Sequence, residues 1–138
     1  MDRSPIATHT DPGAQLWLLN REAVTGVRIW GTNLEHHFPV VGFDRIWVGQ
    51  DPTGPDVRHV LRIDHPSVSR RHATIEWRGG HFVLTDASSF GTWVYMGNQT
   101  EPVVLRRTEC YLVGHGQIAL GCDRHAENAP LVLFSVTG

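Results

Sequence analysis

The chain contains no lysine: all twelve of its basic residues are arginine. Coding bias accounts for such a skew, although arginine forks also suit bidentate contacts to phosphate or carboxylate. The formal charge is only −2, so the molecule lacks the field that draws a protein to nucleic acid or to an anionic membrane. Cysteine is equally scarce. Cys110 and Cys122 are the only two, and no charged-then-apolar leader follows Met1. Neither a disulfide framework nor secretion is therefore indicated, and a cytoplasmic setting is expected. No apolar run approaches the roughly 20 residues that span a bilayer.

A length of 138 residues suits one domain with a sizeable core, which needs no disulfide or metal staple. Hydrophobic residues at 41% and charged residues at 19% exclude a disordered chain or a coiled coil. Pro5, Pro12 and Gly13 occur in an opening stretch without apolar periodicity, so residues 1–14 read as a flexible tail and 15–138 as the domain.

From residue 15 onward, short runs of β-branched and aromatic residues alternate with turn residues, the pattern of an all-β sandwich or barrel. The strand candidates are 16–19, 27–30, 37–41, 45–48, 60–63, 73–77, 81–85, 92–95, 103–106, 111–113, 117–120 and 131–136. Ala73, Ile75 and Trp77 interleave with Thr74, Glu76 and Arg78, and Gly79-Gly80 turns the chain back into Phe82-Val83-Leu84. That is an antiparallel hairpin. Further breaks fall at 51–55, 88–91, 97–98 and 114–116. The five Trp residues, Trp17, Trp30, Trp47, Trp77 and Trp93, all fall in strand candidates and read as core or sheet-face packing.

Two polar segments interrupt this pattern. Ser69-Arg70-Arg71-His72 lies in the one basic stretch, where Arg58, Arg62, Arg70, Arg71 and Arg78 face only Asp64 and Glu76. Asp86-Ala87-Ser88-Ser89-Phe90-Gly91-Thr92 follows one hairpin later. Loops at one end of a sandwich cluster in space, so the two segments can form one edge. Hydroxyls and guanidinium groups together are the inventory for holding a phosphate.

Four motifs in order, Ile46-Trp47-Val48-Gly49, 68–75, 82–94 and Gln117-Ile118-Ala119-Leu120-Gly121, resemble the forkhead-associated (FHA) domain over roughly residues 40 to 136. The resemblance implies a sandwich of two antiparallel sheets with about eleven strands, whose loops bind phosphothreonine segments of partner proteins. It implies a protein-interaction module for signalling, with no catalytic residue, cofactor or metal, and no nucleic-acid or membrane partner. Ser69, Arg70 and Ser89 are the expected phosphopeptide contacts, with Arg71 beside them. Gly49, His72 and Gly91 are expected to shape the loops.

The sequence departs from the family pattern at two positions. Gln50 stands where the resemblance places the main phosphate-binding arginine, and Phe90 where it places an asparagine that holds the peptide backbone. One lost charge-assisted hydrogen bond, about 1.5 to 3 kcal/mol, weakens phosphate binding by about one to two orders of magnitude. Arg58, Arg62 and Arg71 are candidates to compensate. The alternative is a degenerate scaffold that holds its partner without phosphate, through Phe90 or a sheet face. The stretch from Leu105 to Ile118 also resembles FHA regions attached to bacterial nucleotide-cyclase catalytic domains, so regulation of a cyclase or other signalling enzyme belongs with that alternative.

Two other chemistries have the residue types they need in this chain. Ser69, His72 and Asp86 supply the residue types of a hydrolytic triad, but no glycine elbow surrounds the serine, and loop bracing explains His72 more simply. Cys110, His115, Cys122 and His125 are possible zinc ligands by type, in a spacing that matches no finger pattern. Cys110 reads instead as a small hydrophobe near a strand start.

Overall fold

The computed structural model describes residues 13–20, 35–39, 45–54, 57 and 59–137. Eleven strands lie within them: β1 (Gln15–Asn20), β2 (Glu35–Pro39), β3 (Arg45–Gly49), β4 (His59–Arg62), β5 (Ala73–Arg78), β6 (His81–Asp86), β7 (Thr92–Met96), β8 (Val103–Leu105), β9 (Glu109–Leu112), β10 (His115–Leu120) and β11 (Leu131–Thr137). They form a six-stranded sheet in the order β2-β1-β11-β10-β7-β8 and a five-stranded sheet in the order β4-β3-β5-β6-β9. The expected all-β sandwich is what forms. One pairing is parallel rather than antiparallel, because the chain returns along β3 before starting β4, setting Gly49 beside Arg62.

The strand candidate at 27–30 lies outside the described residues. The one at 37–41 is found as Glu35–Pro39, where pairing with β1 carries it back to Glu35 opposite Leu19. β9 starts two residues before the expected 111, since Glu109 and Cys110 pair with Thr85 and Leu84 of the central hairpin. The expected hairpin is present, from Ala73 opposite Asp86 to Arg78 opposite His81.

Alternation along the strands builds the core. Leu16 and Leu18 of β1, Ile46 and Val48 of β3, Phe82 and Leu84 of β6 and Phe134 of β11 belong to one buried cluster between the sheets. Removal of such area from water is the main stabilising term. β11 is buried at four successive positions from Leu131 to Phe134, so its outer face is covered too. Tyr95, Ala119 and Leu131 form a smaller cluster there. The segment after β10 closes over it, with the Arg124 guanidinium 4.2 Å from the Tyr95 ring centroid and the Arg124 amide donating to the Tyr95 hydroxyl at 3.2 Å.

The four described Trp residues are half-buried on sheet faces. Trp17 stacks on His37 at 4.0 Å, Trp77 meets Phe82 edge to face at 4.8 Å, and Trp47 and Trp93 lie beneath arginines.

The expected turn at 114–116 is shorter than the sequence suggested. Gly114 takes the left-handed conformation, with φ 67°, but His115 and Gly116 already belong to β10. Gly116 is needed for closeness rather than for turning, because a Cβ there would lie 2.1 Å from the Tyr95 carbonyl oxygen and 2.7 Å from the Phe134 ring. Gly116→Ala is accordingly expected to lower stability by about 1–3 kcal/mol. Denaturant unfolding at unchanged slope checks this, and an unchanged midpoint would contradict the packing described here.

Candidate functional site

The register places the ends of β3, β4, β6 and β10 and the starts of β5, β7, β9 and β11 at one end of the sandwich. The segments 50–54, 63–72, 87–91 and 121–130 therefore meet there. Backbone hydrogen bonds join the first two: Gln50 N–H donates to the Ser69 carbonyl at 2.9 Å, Asp51 N–H to that of Arg70 at 3.1 Å, and His72 N–H to that of Val48 at 2.8 Å. This close approach requires Gly49, since a Cβ would lie 2.1 Å from the Arg70 oxygen.

His72 is fully buried and fastens the second segment to the third. Its Nδ1 accepts the Ser69 N–H at 3.0 Å, and its Nε2 lies 3.0 Å from the Gly91 carbonyl. A nitrogen that accepts an amide proton carries none, so the ring is neutral with its proton on Nε2, donated to Gly91. Burial lowers the His72 pKa, opposed by the Gly91 carbonyl and by the charge of Asp86. Asp86 Oδ1 is 3.9 Å from Nε2, too far for a hydrogen bond. The Gly91 carbonyl, on a residue with φ 99°, also accepts the Gly121 N–H at 2.9 Å.

Asp86 organises the third segment. Oδ1 accepts the Ser88 hydroxyl at 2.6 Å and the Thr92 hydroxyl at 2.7 Å, and Oδ2 accepts the Arg107 N–H at 2.9 Å. The Ser88 hydroxyl oxygen in turn accepts the Gly91 N–H at 2.7 Å. A buried carboxylate needs several donors to be tolerated, and here they come from within the 87–91 segment, from Thr92 just after it and from the β8–β9 turn. Sequence reasoning considered Asp86 only as a triad member. The Asp-x-Ser spacing that favours a side-chain-bonded turn was the available signal.

At the rim, Ser89 N–H donates to the Ser69 hydroxyl oxygen at 3.1 Å. The Ser69 hydroxyl proton thus points elsewhere, and Ser89 is itself exposed. Arg70 is exposed, its guanidinium 3.7 Å from Asp51. Arg62, on β4, approaches the other oxygen of the same carboxylate at 3.7 Å. Phe90 is 56% exposed, and its carbonyl accepts from Arg106 at 3.2 Å.

Gln50 and Arg71 are occupied. The Gln50 amide donates to the His65 carbonyl at 3.4 Å, while Arg71 donates to the Thr53 carbonyl and lies 4.9 Å above the Trp47 ring. His65 and Ser67, which sequence reasoning passed over, brace the 63–72 segment: Ser67 hydrogen-bonds His65 Nδ1 at 2.8 Å, and its hydroxyl donates to the Leu120 carbonyl at 2.9 Å. Arg58 lies outside the described residues.

Ser69, His72 and Asp86 do come together, but the accepting nitrogen of His72 is committed to the Ser69 backbone amide rather than to the hydroxyl, as a loop brace requires. His115 opens β10 while Cys122 lies beyond its other end. Among the described residues no group of three or more His, Cys, Asp or Glu could hold a metal ion. Burial first, and Glu109 second, push the Cys110 thiol up to about 11, as for a packed and unreactive side chain.

The chain is thus a two-sheet sandwich that carries hydroxyls and arginines on loops joined at one end. The model of the FHA domain matches residues 46–117, more than half of the chain, which belongs to the FHA family. FHA domains are phosphothreonine-dependent protein-interaction modules. The comparison with curated proteins returned no match.

Solved structures agree in fold. FHA-1 of Rv1747 from Mycobacterium tuberculosis is 22% identical, with 91% of this chain and 99% of that chain covered at a TM-score of 0.55. A domain from a structural and functional analysis of phosphothreonine-dependent FHA interactions is also 22% identical, covering 90% and 98% at 0.55. The FHA domain of an Arabidopsis thaliana hypothetical protein is 20% identical, covering 99% and 92% at 0.58.

The neutral His72 gives a pH prediction with a definite sign. As pH falls through the ordinary imidazole value of 6.5, the unfolded chain takes up a proton that the folded ring refuses, so the folded state loses stability on acidification, by up to about 1.4 kcal/mol per pH unit. Ring NMR should show the Nε2–H tautomer at neutral pH and titration below the ordinary imidazole value. A His72 resonance titrating at the ordinary value would contradict the assignment.

Proposed function

We propose that this chain reads phosphothreonine in a partner protein through Ser69, Arg70 and Ser89. The observation that carries this reading is the Ser89 amide bonded to the Ser69 hydroxyl oxygen, which joins the two hydroxyl-bearing loops, with Arg70 exposed on the first of them. A phosphate dianion accepts all three donors, and hydrogen bonds to a charged oxygen are about twice as strong as neutral ones. Gln50 lies where the family resemblance puts an arginine and spends its amide on His65, so affinity is expected below that of a full site. Arg71 is assigned to bracing the 50–54 segment on Trp47. Phe90 replaces a polar contact to the peptide backbone with an apolar one.

The module spans residues 15–138, with Ala14 packed into its core as well, and the partner is a cytoplasmic signalling protein rather than nucleic acid or lipid. Among the described residues no helix is long and apolar enough to cross a membrane.

A second reading is favoured by one observation. Phe90, Val103, Val104, Tyr111 and Val113 are all exposed, and β8 and β9 each lie at one edge of their sheet. In that reading the partner, a nucleotide cyclase or other signalling enzyme, is held there without phosphate, for which the family likeness of 105–118 is the support.

Calorimetric titration with a degenerate phosphothreonine peptide pool, beside its unphosphorylated twin, separates the two. Saturable binding of the phosphorylated pool alone is expected, abolished by Ser69→Ala and lowered about tenfold by Arg70→Ala. Equal heats from both pools with folded protein would sink the phosphothreonine reading.

A further inference from the structure

The segment after β3 and the loop before β5 run side by side, joined by the hydrogen bonds from Gln50 and Asp51 to the Ser69 and Arg70 carbonyls. On the other flank, the parallel register puts Arg62 beside Gly49. Asp51 therefore sits between two arginines that come from different sides. Arg62 lies 3.7 Å from its Oδ1 and Arg70 3.7 Å from its Oδ2. All three side chains are open to water, at 60%, 75% and 45% exposure for Arg62, Arg70 and Asp51.

Pairs this long and this exposed are screened and easily exchanged. What holds the two guanidinium groups near one point is thus a single, replaceable carboxylate. A phosphate carries more negative charge than a carboxylate and offers three acceptor oxygens instead of two, so it competes well for the same pair of forks. A carboxylate left beside a bound phosphate would repel it.

We propose that Arg62 supplies the recognition edge with the second guanidinium that Gln50 cannot, and that Asp51 is a resident anion which holds Arg62 and Arg70 in place until a phosphate displaces it. This rests on the phosphothreonine reading above and deepens it. Of the three arginines that the sequence offered as compensation, Arg71 is tied to Thr53 and Trp47, and Arg58 is outside the described residues. Arg62 is the one that the geometry brings to Arg70.

The test uses the full chain and the phosphothreonine pool at one moderate salt concentration. Arg62→Gln is expected to lower affinity about tenfold and Asp51→Asn to raise it severalfold. Arg45→Gln, at the far end of β3 and paired with Glu76, serves as the control that leaves affinity unchanged. All three positions are exposed, or nearly so, and melting curves confirm folding. Binding by Asp51→Asn alone, with none by the native chain, would support the displacement directly. If Arg62→Gln and Asp51→Asn bind like the native chain while Ser69→Ala does not bind, the inference falls and the phosphothreonine reading stands. If neither the native chain nor Asp51→Asn binds the pool, both fall.

Discussion

The loop end that carries Ser69 and Ser89 depends on one uncharged imidazole. His72 accepts the amide of Ser69 on one nitrogen and donates to the carbonyl of Gly91 from the other, so it can fasten the two segments only while it holds a single proton. Burial supplies that condition by disfavouring the charged ring. The same bond that makes His72 structural removes it from proton transfer. It backs the direct bond from the Ser89 amide to the Ser69 hydroxyl oxygen at the rim.

Around this bond the polar groups are satisfied in layers. Asp86 gathers hydroxyl and amide donors from Ser88, Thr92 and Arg107, and Ser67 ties the 63–72 segment to the end of β10. The buried layer is therefore saturated and rigid, whereas the rim groups, Ser89, Arg70, Arg62 and Phe90, are exposed. Such a division suits recognition, since a hydrogen-bonded base fixes the backbone from which the exposed rim groups project.

Much of the fold was legible because strand alternation and turn residues are local signals. The hairpin of β5 and β6 could be read from Gly79-Gly80 and the alternating residues around it, and the strands from Arg45 to Thr137 fall close to expectation. What failed was set by pairing. β9 begins at Glu109 because Thr85 and Leu84 offer partners there, and Gly116 belongs to a strand because Tyr95 and Phe134 crowd it. The parallel run of β4 beside β3 likewise depends on chain path.

The site was legible in kind but not in detail. Ser69, Arg70, Ser89, Gly49, His72 and Gly91 were picked from their motifs and meet at one end. Roles that depend on direction were invisible in the sequence: Arg71 lies over Trp47, Gln50 donates to His65, and Asp51, passed over as part of a turn, bridges Arg62 and Arg70. The central claim is that this end, and not the β8–β9 edge, meets a phosphothreonine partner. Mapping of backbone amide shifts in isotope-labelled protein on addition of a phosphothreonine peptide tests it most directly. The account predicts changes confined to residues around Gln50, Ser69, Arg70 and Ser89. Changes centred on Val103, Val104 and Tyr111, with the Ser69 and Ser89 amides unmoved, would contradict it.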